Sequence, residues 1–245
     1  MKKTNLIILA FALCAQSHSL FADSQWNNNN SLAPGGDRDW SNSANWLGGL
    51  PNIGVTAIVN PWDIPANFPI VSTSGNYANS IYLAANAALR IASQGVLTAN
   101  NLITGQWGNS GVVDVAGGRL NAGSIYLGNG SFDGKLNISA GIVATDLLSI
   151  DTRGGALVNI GSTGSLMLAA SNLDNVNYWI SNNAIRAEGG ATGWTVNVDT
   201  TTQSGKVILT AVSASATAIP EPGTFGTLGL GLILLGCTRI IRRKA

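Results

Sequence analysis

Histidine and cysteine are nearly missing from this chain. Its 245 residues hold one histidine, His18, and two cysteines, Cys14 and Cys237. His18 and Cys14 lie in the opening stretch MKKTNLIILAFALCAQSHSLFADS. There Lys2 and Lys3 precede an apolar run from Leu6 to Cys14, and Leu20-Phe21-Ala22 offers a cleavage site before Asp23. Such a segment reads as a secretory signal peptide over residues 1–22, removed from the mature protein. The competing reading, a short core helix, finds no partner helix downstream. Leu13 stands where a lipoprotein signal needs a small residue, so Cys14 is not read as a lipidation site. Cys237 sits in a C-terminal apolar run. The exported part, residues 23–219, therefore carries neither His nor Cys. This excludes a disulfide framework or thiolate metal site there, and with them a Ser-His-Asp or Cys-His catalytic set.

Charge is the second scarcity. Between residues 23 and 219 there are seven basic side chains against eleven acidic ones, a balance of −4. No basic patch is present to neutralise phosphates, so nucleic acid is not an expected partner. No Gly-rich turn leads from a strand into a helix with the Gly-Lys-Ser/Thr signature, so no nucleotide site is expected either. The exported stretch is long enough to bury a real core as one domain.

What is present is a repeat. ASQGVLTA, AGGRLNA, SAGIVAT and STGSLMLA are four versions of one motif. Gly95, Gly118, Gly141 and Gly164 recur every 23 residues, and so do Leu97, Leu120, Val143 and Leu166. Leu102, Ile125 and Leu148 keep the same step, with Ile81 in a shorter first unit. Before each glycine lies an alternating pair, Leu89/Ile91, Val113/Val115, Leu136/Ile138 and Val158/Ile160, slipping by about one residue against the strict period. Each unit thus reads as three short period-2 segments separated by Gly, Asn or Ser. Alternation puts every second side chain on one face, and glycine at each corner is expected to supply positive φ for a sharp turn. Stacked units bury a continuous column that one unit alone cannot. The expected fold is all-β, a right-handed parallel β-helix (solenoid) of about 23 residues per rung over residues 23–210, with rungs about 4.8 Å apart. An antiparallel sandwich is the competing arrangement. The constant step argues against it, because hairpins reverse direction and require no fixed period.

Open rungs at the ends of a stack would pair with other chains. Trp40 and Trp46, in the stretch DRDWSNSANWLGGLPNIGVTAIV, are expected to close the N-terminal end. Two strands around Val196–Val198 and Val207–Leu209 are expected to close the other as a hairpin. The pattern Trp40, Asn45-Trp46, Gly49, Pro51 and Ala57-Ile58 resembles the start of the β-helical passenger repeats of autotransporter-like surface proteins, and the repeats over residues 81–168 are similar to that family. The chain departs from it in carrying no C-terminal membrane β-barrel.

The end of the chain is AIPEPGTFGTLGLGLILLGCTRIIRRKA. An apolar run from Thr224 to Ile241 is close to the minimum that spans a bilayer as a helix. Arg239, Arg242, Arg243 and Lys244 place its C-terminus in the cytoplasm by the positive-inside rule, and the repeats outside. Residues 211–219 form a small-residue linker. Pro220-Glu221-Pro222, one short span and a basic end, in that order over residues 220–245, resemble the PEP-CTERM sorting signal of Gram-negative bacteria that make exopolysaccharide. The resemblance implies an exosortase-type membrane protease as partner, with Pro220, Glu221 and Pro222 as recognition residues. It also implies transient anchoring in the inner membrane, then delivery to the cell surface or matrix. A permanent single-span anchor is the alternative.

Two functions remain: a non-catalytic cell-surface or exopolysaccharide-matrix protein, or a β-helical polysaccharide lyase or glycoside hydrolase. A hydrolase needs two facing carboxylates, and a Ca²⁺-dependent lyase a cluster of Asp. Asp114 shares its row with Arg90, Asn137 and Asn159, while Asp133, Asp146 and Asp151 fall at other phases. Asp151 and Arg153 flank a turn that can lie near Asp133. No metal site or cofactor is expected. Trp107, in the turn GQWGNSG, is the candidate platform for stacking a sugar ring.

Overall fold

The computed structural model of the chain describes residues 23–27, 37–60, 68–106, 110–128, 130 and 132–214. The chain divides into two units, Met1–Val212 and Ser213–Ala245. Of the second, only Ser213 and Ala214 are described. The signal peptide, Trp107, the Pro-Glu-Pro tripeptide and the C-terminal apolar run all lie outside the described residues. Among the described residues no helix is long and apolar enough to cross a membrane.

The described fold is all-β: thirteen strands in one large sheet, with a single short α-helix. Its body comprises β5 (Asn76–Ala84), β6 (Ala87–Ala92), β7 (Val96–Gln106), β8 (Gly111–Leu127), β9 (Gly134–Ile150) and β10 (Leu157–Ala169). Strand β5 pairs with β7, both β6 and β7 with β8, β8 with β9 and β9 with β10, every pairing parallel. The repeat is therefore a register. Leu97 lies opposite Leu120, Leu120 opposite Val143 and Val143 opposite Leu166. Ile81, Leu102, Ile125 and Leu148 form a second column in the same way. Leu89, Val113, Leu136 and Val158 form a third. All twelve side chains are buried, and each contributes about 1.5–3 kcal/mol by leaving water.

Two details differ from the sequence reading. Units of three short segments are expected, yet β8 and β9 are each continuous over 17 residues. Parallel pairing with the neighbouring strands resumes after each irregularity. The irregularity is absorbed as register shifts, as between Ala116 and Arg119 in β8 and between Ile160 and Thr163 in β10. These are bulges rather than loops, and they account for the one-residue slip of the alternating pairs. The glycine column also has another cause. Of its four members only Gly141 has positive φ, at 90°. What all four share is lack of space. A Cβ on Gly95, Gly118, Gly141 or Gly164 would overlap the carbonyl oxygen of Val71, Ala92, Gly118 or Ile138, respectively. At this corner successive turns of backbone touch.

At the N-terminal end, β1 (Asp23–Trp26) lies between β2 (Trp46–Leu47) and β3 (Thr56–Val59), antiparallel to the first and parallel to the second. The two-residue β4 (Ile70–Val71) pairs with β6. Trp40 and Trp46 close this end, as expected, and Trp26 joins them. The ring centroids lie 4.7 Å (Trp40–Trp46) and 5.0 Å (Trp26–Trp46) apart, edge to face. The Trp46 indole N–H donates to the Trp40 carbonyl at 2.8 Å. At the other end, β11 (Ile185–Ala187) continues the parallel ladder on β10. The hairpin of β12 (Trp194–Asp199) and β13 (Lys206–Ser213) lays β13 antiparallel on β10, with Leu209 opposite Leu166. The helix α1 (Leu173–Ser181) has no counterpart in the sequence reading; it buries Val176 and Trp179 against the core. Its nine residues carry little more than two turns of apolar spacing.

The β12–β13 loop is tied by Asp199. Its carboxylate accepts the backbone N–H groups of Thr201 (2.7 Å) and Thr202 (3.0 Å) and both threonine hydroxyls. These bonds, the Thr202 hydroxyl first, hold its carboxyl well below the usual range. A carboxylate depressed on folding contributes stability that is full above its unfolded value, near 3.8, and is lost as pH falls through the folded value. Lowering pH from about 7 to about 3 is thus expected to reduce the urea midpoint of the wild type more than that of Asp199→Asn. Equal reductions would show that the loop bonds contribute nothing.

Candidate functional site

In a strand, the neighbour of an inward residue points outward. The residues following Ile81, Leu102, Ile125 and Leu148 are Tyr82, Ile103, Tyr126 and Ser149. They pair in register across β5, β7, β8 and β9. This outward column lines an open groove of about 630 Å³, within the range of small-ligand sites. Tyr126 is 37% exposed, and Tyr82 and Ile103 are half-buried.

Asp151 and Arg153 also line this groove. Asp151 caps the short 3-10 turn Thr152–Gly154, its Oδ1 accepting the Arg153 backbone N–H at 3.1 Å. Two further bonds run between the side chains, Nε to Oδ1 at 2.9 Å and Nη2 to Oδ2 at 2.7 Å. The bidentate carboxylate raises the Arg153 pKa, first through the hydrogen bonds and then through its charge. The two charges cancel, and the Arg153 side chain remains 74% exposed. A guanidinium has five N–H donors, so the fork that grips Asp151 leaves others facing solvent.

The other acids considered from the sequence are spread apart in role. Asp114 lies in the row Arg90–Asp114–Asn137–Asn159 and accepts from the Asn137 amide at 2.7 Å. Asp146 pairs with Lys206 of β13 at 3.0 Å. Asp133 places its Oδ1 beside Gly155, next to the Asp151 turn. Among the described residues no three His, Cys, Asp or Glu side chains are grouped to hold a metal ion.

The described tryptophans, Trp26, Trp40, Trp46, Trp179 and Trp194, are all buried or half-buried in the core and its ends. The aromatic rings that the described surface offers are those of tyrosines and Phe132. The sequence reading, which weighs tryptophans as sugar platforms, misses the tyrosine column. The signal that finds it is a phase, one residue after each member of the Ile81 column. No family model, no curated protein and no solved structure matches this chain.

Proposed function

We propose that this chain is an exported, non-catalytic protein of the cell surface or exopolysaccharide matrix, delivered by an N-terminal signal and sorted through a C-terminal PEP-CTERM signal. The tail carries this reading: Pro220-Glu221-Pro222, an apolar run and Arg239, Arg242, Arg243 and Lys244 follow one another at one end of the chain. Prolines hold a segment extended, and an extended peptide fits a protease cleft. The exported domain is read more finely as a right-handed parallel β-helix. Support comes from the parallel pairing of β5 through β10 at an offset of about 23 residues. Stacked rungs of this kind present their outward columns repeatedly to a polymer, and weak contacts gain strength from that repetition. Polysaccharide is the polymer proposed.

Mass spectrometry of surface material tests the sorting. Mature protein is expected to lack residues 1–22 and the segment after Pro-Glu-Pro. Glu221→Ala is expected to leave unprocessed chain in the inner membrane. Recovery of an intact RIIRRKA peptide from the surface pool would favour a permanent anchor instead. Incubation with the producer's own exopolysaccharide tests the absence of catalysis. Release of reducing ends or unsaturated sugars, abolished by Asp133→Ala or Asp151→Ala, would make the protein a lyase or hydrolase.

A further inference from the structure

The groove permits a narrower assignment, which rests on the polysaccharide reading above. We infer that the column Tyr82–Ile103–Tyr126–Ser149 seats an extended, uncharged hexopyranose chain running across the strands, with its hydroxyls hydrogen-bonded at one end to the Asp151–Arg153 pair. Three observations carry this.

The first is spacing. Tyr82 and Tyr126 are two strands apart in register, with Ile103 between them. Neighbouring strands lie about 4.8 Å apart, so the two rings are separated by roughly 9.6 Å along the column. That is about one disaccharide of an extended glycan. Alternate sugar rings can then place their C–H faces on tyrosine rings, an apolar contact with a defined geometry, while Ile103 floors the gap.

The second is charge. Among the described lining residues, Asp151 and Arg153 are the charged pair, and each neutralises the other. A polyanion such as a uronate polymer or nucleic acid gains no net attraction here, and a basic peptide gains none either. A neutral polyhydroxyl chain needs none.

The third is preorganisation. Asp151 is held by its own turn and by the guanidinium fork, so the outward N–H groups of Arg153 are aimed before a ligand arrives. Vicinal hydroxyls are acceptors of matching spacing, and little side-chain freedom is left to lose on binding.

The test uses the full chain purified in detergent, titrated calorimetrically with a neutral β-1,4-linked glucose hexasaccharide, the matching disaccharide and an oligouronate of hexasaccharide length. The hexasaccharide is expected to bind, and the disaccharide to bind at least about tenfold more weakly, because it cannot use both rings. Tyr126→Ala and Tyr82→Ala are each expected to weaken hexasaccharide binding by at least about tenfold. Tyr126→Phe, which keeps the ring, is expected to bind like wild type. Tyr178→Ala, on α1, is also expected to bind like wild type. Binding is expected to be insensitive to salt between about 0.05 and 0.5 M, because no net charge is involved. Circular dichroism of each variant separates lost binding from lost fold. Hexasaccharide binding that survives both tyrosine-to-alanine changes would overturn this site and leave the polysaccharide reading standing. Tighter, salt-dependent binding of the oligouronate would overturn the assignment to neutral glycan. Absence of binding to every glycan offered would overturn both this site and the polysaccharide contact, but not the sorting, which the Glu221 variant tests separately.

Discussion

Gly141→Ala is expected to destabilise the folded chain more than either Gly75→Ala or Gly164→Ala. Two penalties meet at this residue. Its φ of 90° lies where an L side chain is strained, at about 1–2 kcal/mol. Its new Cβ would also overlap the carbonyl oxygen of Gly118 and crowd that residue's amide nitrogen at 3.0 Å. Those are backbone atoms rather than the end of a flexible side chain, so the neighbour cannot rotate away. Overpacking of this kind costs about 1–3 kcal/mol, which brings the expected loss to about 2–5 kcal/mol. Two other glycines separate the contributions. Gly75 has φ of 81°, and a methyl group added there would meet nothing within 4 Å, so Gly75→Ala isolates the backbone strain. Gly164 has no positive φ, but its Cβ would overlap the Ile138 carbonyl oxygen, so Gly164→Ala isolates the steric overlap. Urea unfolding of the three variants is expected to place Gly141→Ala lowest in stability. If Gly141→Ala proves no worse than Gly75→Ala, the turns do not touch at this corner.

Leu120→Ala is expected to lose about 2–5 kcal/mol through lost burial and the cavity left behind. Leu120 is fully buried and sits between Leu97 and Val143 in the four-member column. The ladder on both sides limits how far the backbone can collapse into the gap, which favours the upper part of that range. Arg119, one residue earlier, is exposed, and Arg119→Ala is expected to stay within about 0.5 kcal/mol of wild type. A Leu120→Ala loss below about half a kcal/mol would remove this position from the core. An equal loss in both variants would mean that alternation along β8 does not separate inside from outside.

The columns themselves are legible as arithmetic. Parallel strands in unbroken register require equivalent residues at a constant step, so Leu97, Leu120, Val143 and Leu166 can be aligned by counting alone. Period-2 alternation then assigns each neighbour to the opposite face. Trp40 and Trp46 are readable as a cap because large apolar rings beside a short, Gly-rich segment have no column to join. The same arithmetic holds the tyrosine groove, since Tyr82, Ile103 and Tyr126 each follow a member of the Ile81 column. It does not stand out in the sequence because an outward side chain has meaning only once its neighbours across strands are known. The helix α1 is hidden for a related reason: two turns with Val176 and Trp179 on one side look like a polar loop until the open end of the core is there to receive them.

The sequence by itself determined the parallel register, the inward columns, the absence of His and Cys from residues 23–219, and the order of elements in the tail, because each is a matter of identity and spacing along one chain. The tertiary structure alone decided why glycine recurs at these four corner positions, where the shared requirement is close approach of successive turns, while the positive φ of the corner falls on Gln94, Gly117 and Gly141. It alone decided that Asp151 answers Arg153 while Asp146 answers Lys206, sixty residues away. Steric overlap and ion pairing act between atoms brought together by folding, and no period along the chain records the distance between them.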